Sequence, residues 1–309
     1  MKQLKRSSGN WVLDELLHYK GLYFMLIPVV AYYVIFCYVP MYGVQMAFRD
    51  FSPRLGITGS PWAGLRHFRE FFGSIYFVRL LRNTILINFY GLIFGFPVPI
   101  IFAILLNELR LKKFKGFVQT VSYLPHFVSI VVIAGIIKSF TATDGLFSVL
   151  GSQWFSFPKQ NMLMIPDYFR SIYVISDIWQ EMGWSSIIYI AALSGINSEL
   201  YEAAEVDGAG RFRQIWHVTL PGLIPIIMTM LVLRIGSMLF LGFEKVFLLY
   251  NEGIYETADV ISTYVYRKGL IDGSFSFSTA VGLFNSVVNM VLLVSANRIS
   301  KRLTQQSLW

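Results

Sequence analysis

A single cysteine, Cys37, and four scattered histidines, His18, His67, His126 and His217, occur in the 309 residues. One cysteine excludes an intrachain disulfide and a cysteine-based metal site. No two histidines stand at a metal-ligand spacing, so no metal centre is expected. Charge is scarce too: Asp, Glu, Lys and Arg make up 14% of the chain, against about 25% in ordinary soluble domains. That shortage argues against a soluble globular protein, which needs a polar surface. No GxxxxGK[ST] run occurs, which excludes nucleotide binding through a phosphate loop, and no cluster of catalytic groups marks an enzyme.

Apolar length takes the place of what is missing. Hydrophobic residues are 55% and aromatics 17% of the chain, and the mean hydropathy is +0.56, which also excludes bulk disorder. A hydrocarbon core takes about 20 apolar residues per helix. Six stretches qualify, near 21–41, 82–106, 117–138, 174–195, 222–243 and 277–297. The expectation is an all-α polytopic membrane protein with six transmembrane helices, a tail over 1–20 and one transmembrane domain over 21–309. Lys2, Lys5, Arg6 and Lys20 precede the first stretch as in a signal peptide. Its length and the lack of a small-residue cleavage site predict a retained helix.

The formal charge is +8, and its distribution argues for a membrane orientation rather than a nucleic-acid partner. With the N-terminus inside, the inner segments 1–20, 107–116, 196–221 and 298–309 carry 13 Lys and Arg in 68 residues. The outer segments 42–78, 139–171 and 244–275 carry 9 in 102. The positive-inside rule therefore puts both termini in the cytoplasm. Pro28, Pro97, Pro99, Pro125, Gly91 and Gly95 lie within the spans, where they permit close helix packing or hinges.

One inner segment carries a specific signal. Residues 196–221 are far longer than a turn between antiparallel helices needs. SELYEAAEV, beginning at Ser198 as a candidate cap, predicts a helix. Asp207-Gly208 breaks it, and GRFRQIWHV predicts a second amphipathic piece before Pro221. This is a helix-turn-helix at the cytoplasmic surface. It contains Glu202-Ala203-Ala204, then Gly208 after three residues, then Val218 and Leu220-Pro221.

That spacing resembles the EAA loop of the membrane subunits of binding-protein-dependent ABC importers, with Val218 where the family pattern has isoleucine. The resemblance implies a type I importer permease fold, with 21–309 as a single permease domain in a bacterial cytoplasmic (inner) membrane. It also implies that Glu202, Ala203, Ala204, Asp207, Gly208, Leu220 and Pro221 couple this chain to an ATP-hydrolysing subunit. ATP and Mg then sit on two partner ATP-binding cassette subunits, with no cofactor in this chain. Further partners implied are a second homologous permease, an external solute-binding protein and the lipid bilayer. Small Ala203 and Ala204 suit close docking, and Glu202 offers a carboxylate to a basic partner group. Arg211 and Arg213 either touch the partner or face lipid headgroups.

The run DIWQEMGWSSIIYIAALSGINSELYEAAEVDGAGRF is similar to sugar permeases. WAGLRHFREFF, LLRNTILINFYGLIFGFPVPIIFAILLNEL and SYLPHFVSIVV resemble the branch associated with oligosaccharides from complex polysaccharides. Independently, Asp177, Gln180, Glu181 and Trp184 share one face of the fourth span, and a Trp beside polar groups suits a sugar. Trp184, Gln180, Asn88, Asn285 and Asn289 are the candidate substrate-path residues. Belt contact, binding-protein contact or interhelical bonding are the alternatives for this set. Counting back from the EAA loop puts Asp177 near the outer boundary. Arg234 pairs with a carboxylate, snorkels or lines a cavity. Pro61-Trp62 and Trp154-Phe155 are candidate outer anchors. The same machinery with an amino acid or phosphate as cargo, or a gradient-driven secondary transporter, are the competing functions; the latter predicts carboxylates deep in the bilayer.

Overall fold

The computed structural model describes residues 18–239 and 242–304. The basic tail residues Lys2, Lys5 and Arg6, the last five residues and the side chain of Phe155 lie outside the described residues. Among the described residues there is no β-strand, only isolated bridges between Arg49 and Trp62 and between Ser52 and Gly56.

Five helical stretches are long and apolar enough to cross a membrane: Lys20–Phe48 (α1), Phe77–Glu108, Ile130–Trp154, Arg211–Gly236 and Phe275–Arg302. Between α1 and the second stretch lies a short helix, Arg66–Phe72 (α2). The second stretch, α3, is a continuous helix with a π-turn at Gly91–Gly95 that loosens it ahead of Pro97 and Pro99.

The expected third span, 117–138, is not one helix. The chain forms α4 (Lys112–Tyr123), a 3₁₀ turn at Leu124–Phe127, and then α5 (Ile130–Thr141). Pro125 has no N–H to continue the helix, and Ser129 caps the next one by accepting from Val132 N–H at 3.4 Å. The crossing stretch is displaced accordingly, running through α5 and α6 (Leu146–Phe155).

The expected fourth span falls within α7, Pro166–Ser194, a helix of 29 residues. It is about 43 Å long at 1.5 Å per residue. It is not among the five apolar stretches, because its polar face lowers its hydropathy. It starts at Pro166, two turns before the expected span, so Asp177 and Glu181 flank the midpoint of the helix.

α8 (Ser198–Val206) and α9 (Arg211–Gly236) follow, and the expected short second piece is continuous with α9 through a π-turn at Ile215–Thr219. Helices α10 (Phe243–Leu249) and α11 (Ile261–Tyr266) precede α12 (Phe275–Thr304).

α7 is the central pillar, packed on α3, α4 and α9, while α9 packs on α12. Contact with α4 is possible because residue 183 is glycine: a Cβ there would overlap the Ser122 carbonyl oxygen. One apolar cluster joins Ile87, Ile133, Phe169, Val246 and Val260 around the first half of α7. A second joins Ile104, Tyr189, Leu193 and Leu223 near its end. By contrast no side chain from Lys20 through Met41 is buried. Only the end of α1, Tyr42–Phe48, packs on α12 and α2.

The segment after α10 is locked to α3 by a buried charge. Asp259, with no exposed surface, accepts from Arg267 at 2.6 Å and Arg79 at 3.4 Å. It also accepts from the Thr263 hydroxyl at 2.9 Å. Burial opposes the charge on Arg267, yet the hydrogen bond to and attraction of Asp259 hold its pKa above the usual value. Asn83 donates to the Asp259 and Glu256 carbonyls at 2.9 Å and accepts from Arg170 at 2.9 Å, drawing α7 into the same knot.

Candidate functional site

A cavity of about 860 Å³ opens between α3, α7 and α9. On α7 its wall includes Asp177, Glu181, Trp184, Ile188 and Ala191. These succeed one another at four- and three-residue steps, the repeat that keeps side chains on one helix face. α3 contributes Asn88, Gly91 and Gly95, and α9 contributes Met230 and Arg234.

Two of the charged groups of this wall, Asp177 and Glu181, have polar partners within the chain. Lys245 of α10, 4% exposed, reaches Asp177 Oδ1 at 3.2 Å. Its ammonium also lies 5.0 Å from the Tyr173 ring centroid. Glu181 Oε2 lies 3.0 Å from Nδ1 of His126, which the break between α4 and α5 brings to α7. The same imidazole stacks on Trp184, and Phe127 meets that indole edge-on. Trp184 remains 43% exposed, so an indole braced from behind faces the cavity.

Of the three readings open for Arg234, cavity lining is the one observed. It sits in the last turn of α9, where the negative end of the helix dipole favours a cation. Its guanidinium lies over Gly91: a Cβ there would be 3.3 Å from Nη2. Gly95 similarly meets Ile178 of α7. The two glycines thus make room for groups on α9 and α7.

The other sequence candidates divide. Asn88 lines the cavity, 6% exposed, with Nδ2 donating to the Thr84 carbonyl at 2.8 Å. Gln180 is buried beside the cavity face and is not on its wall. It lies between Asp177 and Glu181 in sequence but is rotated off their face. Asn285 and Asn289 of α12 are buried and hold the backbone of Leu239, just past α9: Asn285 donates to its carbonyl at 3.3 Å and Asn289 accepts its N–H at 2.8 Å. Lys245 and His126 were missed by sequence reasoning. Neither shares an element with its partner, and only the apolar setting of His126 hinted at a buried role.

At the far end of α7 and α9 lies the EAA segment. Asn197, not Ser198, caps α8, accepting from Glu199 N–H at 3.0 Å. Gly208 takes φ +74°, and Ala209 N–H closes the turn on the Ala204 carbonyl at 2.8 Å. No atom lies within 4 Å of a Cβ built at Gly208, so backbone conformation, not space, demands glycine. Tyr201 Oη is 3.0 Å from Thr219 Oγ1, tying α8 back to α9. Glu202 and Ala203 are exposed, Ala204 is half-buried, Leu220 packs into the second apolar cluster and Pro221 is exposed in the first turn of the α-helical run. Arg211 lies 3.5 Å from Glu108 at the end of α3. Sequence reading also passed over Val206 and Phe212, which are 88% and 89% exposed beside the turn.

The pattern of the family described as binding-protein-dependent transport system inner membrane component matches residues 95–305. The chain belongs to this family. Over 306 residues it is 44% identical to the polygalacturonan/rhamnogalacturonan transport system permease protein YteP of Bacillus subtilis (strain 168), covering 99% of this chain and 95% of YteP. It is 46% identical over 296 residues to protein LplB of the same organism, covering 94% and 91% of the two chains. Among solved structures, a chain of a bacterial alginate ABC transporter in complex with an alginate pentasaccharide-bound periplasmic protein matches with a TM-score of 0.89. That match has 41% identity and covers 97% of this chain and 100% of the other. The permease is therefore an inner-membrane component of a binding-protein-dependent ABC importer with a type I permease fold. Membership of this family sets it apart from gradient-driven transporters.

Proposed function

We propose that this permease forms half of the translocation path for an oligosaccharide handed over by an external binding protein, with ATP hydrolysed, with Mg, on two cassette subunits. The observation that carries the proposal is connectivity: α8 and its turn join α7 and α9, and the cavity lies between those same two helices. A push on the EAA segment is therefore delivered to both walls. Val206 and Phe212 supply apolar contact area there, with Glu202 as a charged partner group. A second homologous permease closes the open side of the cavity and packs along α1, whose side chains from 20 to 41 are unburied in this chain. The excess of Lys and Arg in the inner segments supports a cytoplasmic position for both termini and the EAA segment. The oligosaccharide cargo is supported by the names of the relatives and by the braced indole of Trp184, a flat apolar surface bordered by polar groups.

The test is uptake of labelled oligosaccharide by vesicles holding the complete transporter with its binding protein. Accumulation that requires internal ATP, and ATP hydrolysis that rises with loaded binding protein, are expected. Accumulation driven by an ion gradient without ATP would overturn the proposal.

A further inference from the structure

Three groups on the cavity wall carry a full charge: Asp177, Glu181 and Arg234. Asp177 forms an ion pair with Lys245 at 3.2 Å, and Glu181 has a polar contact with His126 Nδ1 at 3.0 Å. Arg234 differs. No carboxylate among the described residues lies within ion-pair distance of it, and its side chain is exposed to the cavity. A guanidinium without a counter-ion is costly at membrane depth, which is why such groups normally mark a ligand or a partner. Its placement is also built into the fold. Gly91 is the residue type that leaves room for the Nη2 edge, and the last turn of α9 fixes the stem.

Taking the oligosaccharide reading above as its basis, we infer that Arg234 is the specificity-determining contact for the carboxylate of an acidic sugar residue passing through the cavity. The planar guanidinium presents two parallel N–H donors that match the two oxygens of a carboxylate, a fit that a hydroxyl cannot reproduce. Trp184, on the α7 wall of the same cavity, offers the apolar surface for a ring face. The cavity thus holds both parts needed to recognise a uronate: a ring platform and an unanswered cation. A carboxylate supplied by the partner permease is the competing counter-ion, and it predicts a different outcome.

The experiment compares an oligogalacturonate with its methyl ester of equal length, in vesicles holding the complete transporter and one unchanged binding protein. R234Q is expected to lower uptake of the acid by roughly tenfold or more, the scale of a charge-assisted bidentate contact, and to leave the ester within about twofold. R234K is expected to fall between. Equal loss for both probes, or no loss, overturns the assignment while leaving the oligosaccharide reading standing. Uptake of neither probe by the wild-type transporter overturns the uronate assignment, and the oligosaccharide reading falls only by the ATP-dependence test above. G91D gives an independent readout. An Asp placed beside the guanidinium supplies an internal counter-ion, so G91D should depress uptake of the acid as R234Q does and leave the ester within about twofold. Equal loss of both probes in G91D, or no loss, rejects the inference.

Discussion

The indole of Trp184 and the imidazole of His126 lie 4.5 Å apart and 4° from parallel, although 58 positions separate them in the chain. The pair exists because Pro125 breaks the α4 helix beside α7 and turns His126 inward. Glu181, one turn before Trp184, fixes the imidazole from its edge at 3.0 Å.

Removing either ring should loosen the sugar platform. W184A is expected to raise the substrate concentration for half-maximal ATPase stimulation several-fold, and H126A to do so less, since an aromatic pair is worth about 0.5–1.5 kcal/mol. The complex should still assemble. An unchanged concentration dependence in W184A would remove Trp184 from the path.

Coupling should fail at the turn without loss of membrane insertion. Gly208 adopts a φ that costs a β-branched residue about 1–2 kcal/mol, so G208V is expected to abolish uptake. E202K and F212D should do the same by weakening the hold on the ATPase subunit, seen as reduced co-purification. Normal uptake in G208V and E202K together would refute the coupling role of this segment.

Asp177 and Lys245 should behave as a unit. D177A leaves a 4% exposed ammonium without its nearest carboxylate, and because Asp177 is itself 36% exposed the expected loss is on the order of 1–3 kcal/mol. The double variant D177A/K245M should regain most of the thermal stability lost by D177A. Additive losses in a double-mutant cycle would mean that the two do not interact.

Asp259 is a second charge with partners inside the chain, and it is fully buried. D259N removes the charge shared by Arg79 and Arg267. A stability loss of about 3–5 kcal/mol is expected, read as a lower melting temperature of the purified complex. R79Q should cost less, because its contact is longer and Arg267 remains. Equal melting temperatures for wild type and D259N would contradict the structural role given to this knot.

The EAA segment was legible because its constraints are local. A helix cap, a positive-φ glycine and a proline at fixed spacing are written in consecutive residues, and Gly208 sits as its type demands. Only the cap shifted, from Ser198 to Asn197, since both are good cap formers and the choice depends on the angle at which α7 ends. The spans were legible from apolar length, except where length misleads. The stretch 117–138 has the hydropathy of a span, yet Pro125 interrupts it. The fourth span begins earlier than its hydropathy suggested because its first turns carry Asp167 and Arg170.

By itself, then, the sequence determined an all-helical membrane permease and its coupling turn, through composition and short-range spacing. The tertiary structure decided which polar groups answer one another: Lys245 with Asp177, His126 with Glu181, Arg79 and Arg267 with Asp259, and Gly91 beneath an unanswered Arg234. The physical reason is that periodicity places a residue on a face of its own helix. The partner across the gap depends on where other helices break, tilt and approach, and that is set by packing between residues distant in the chain.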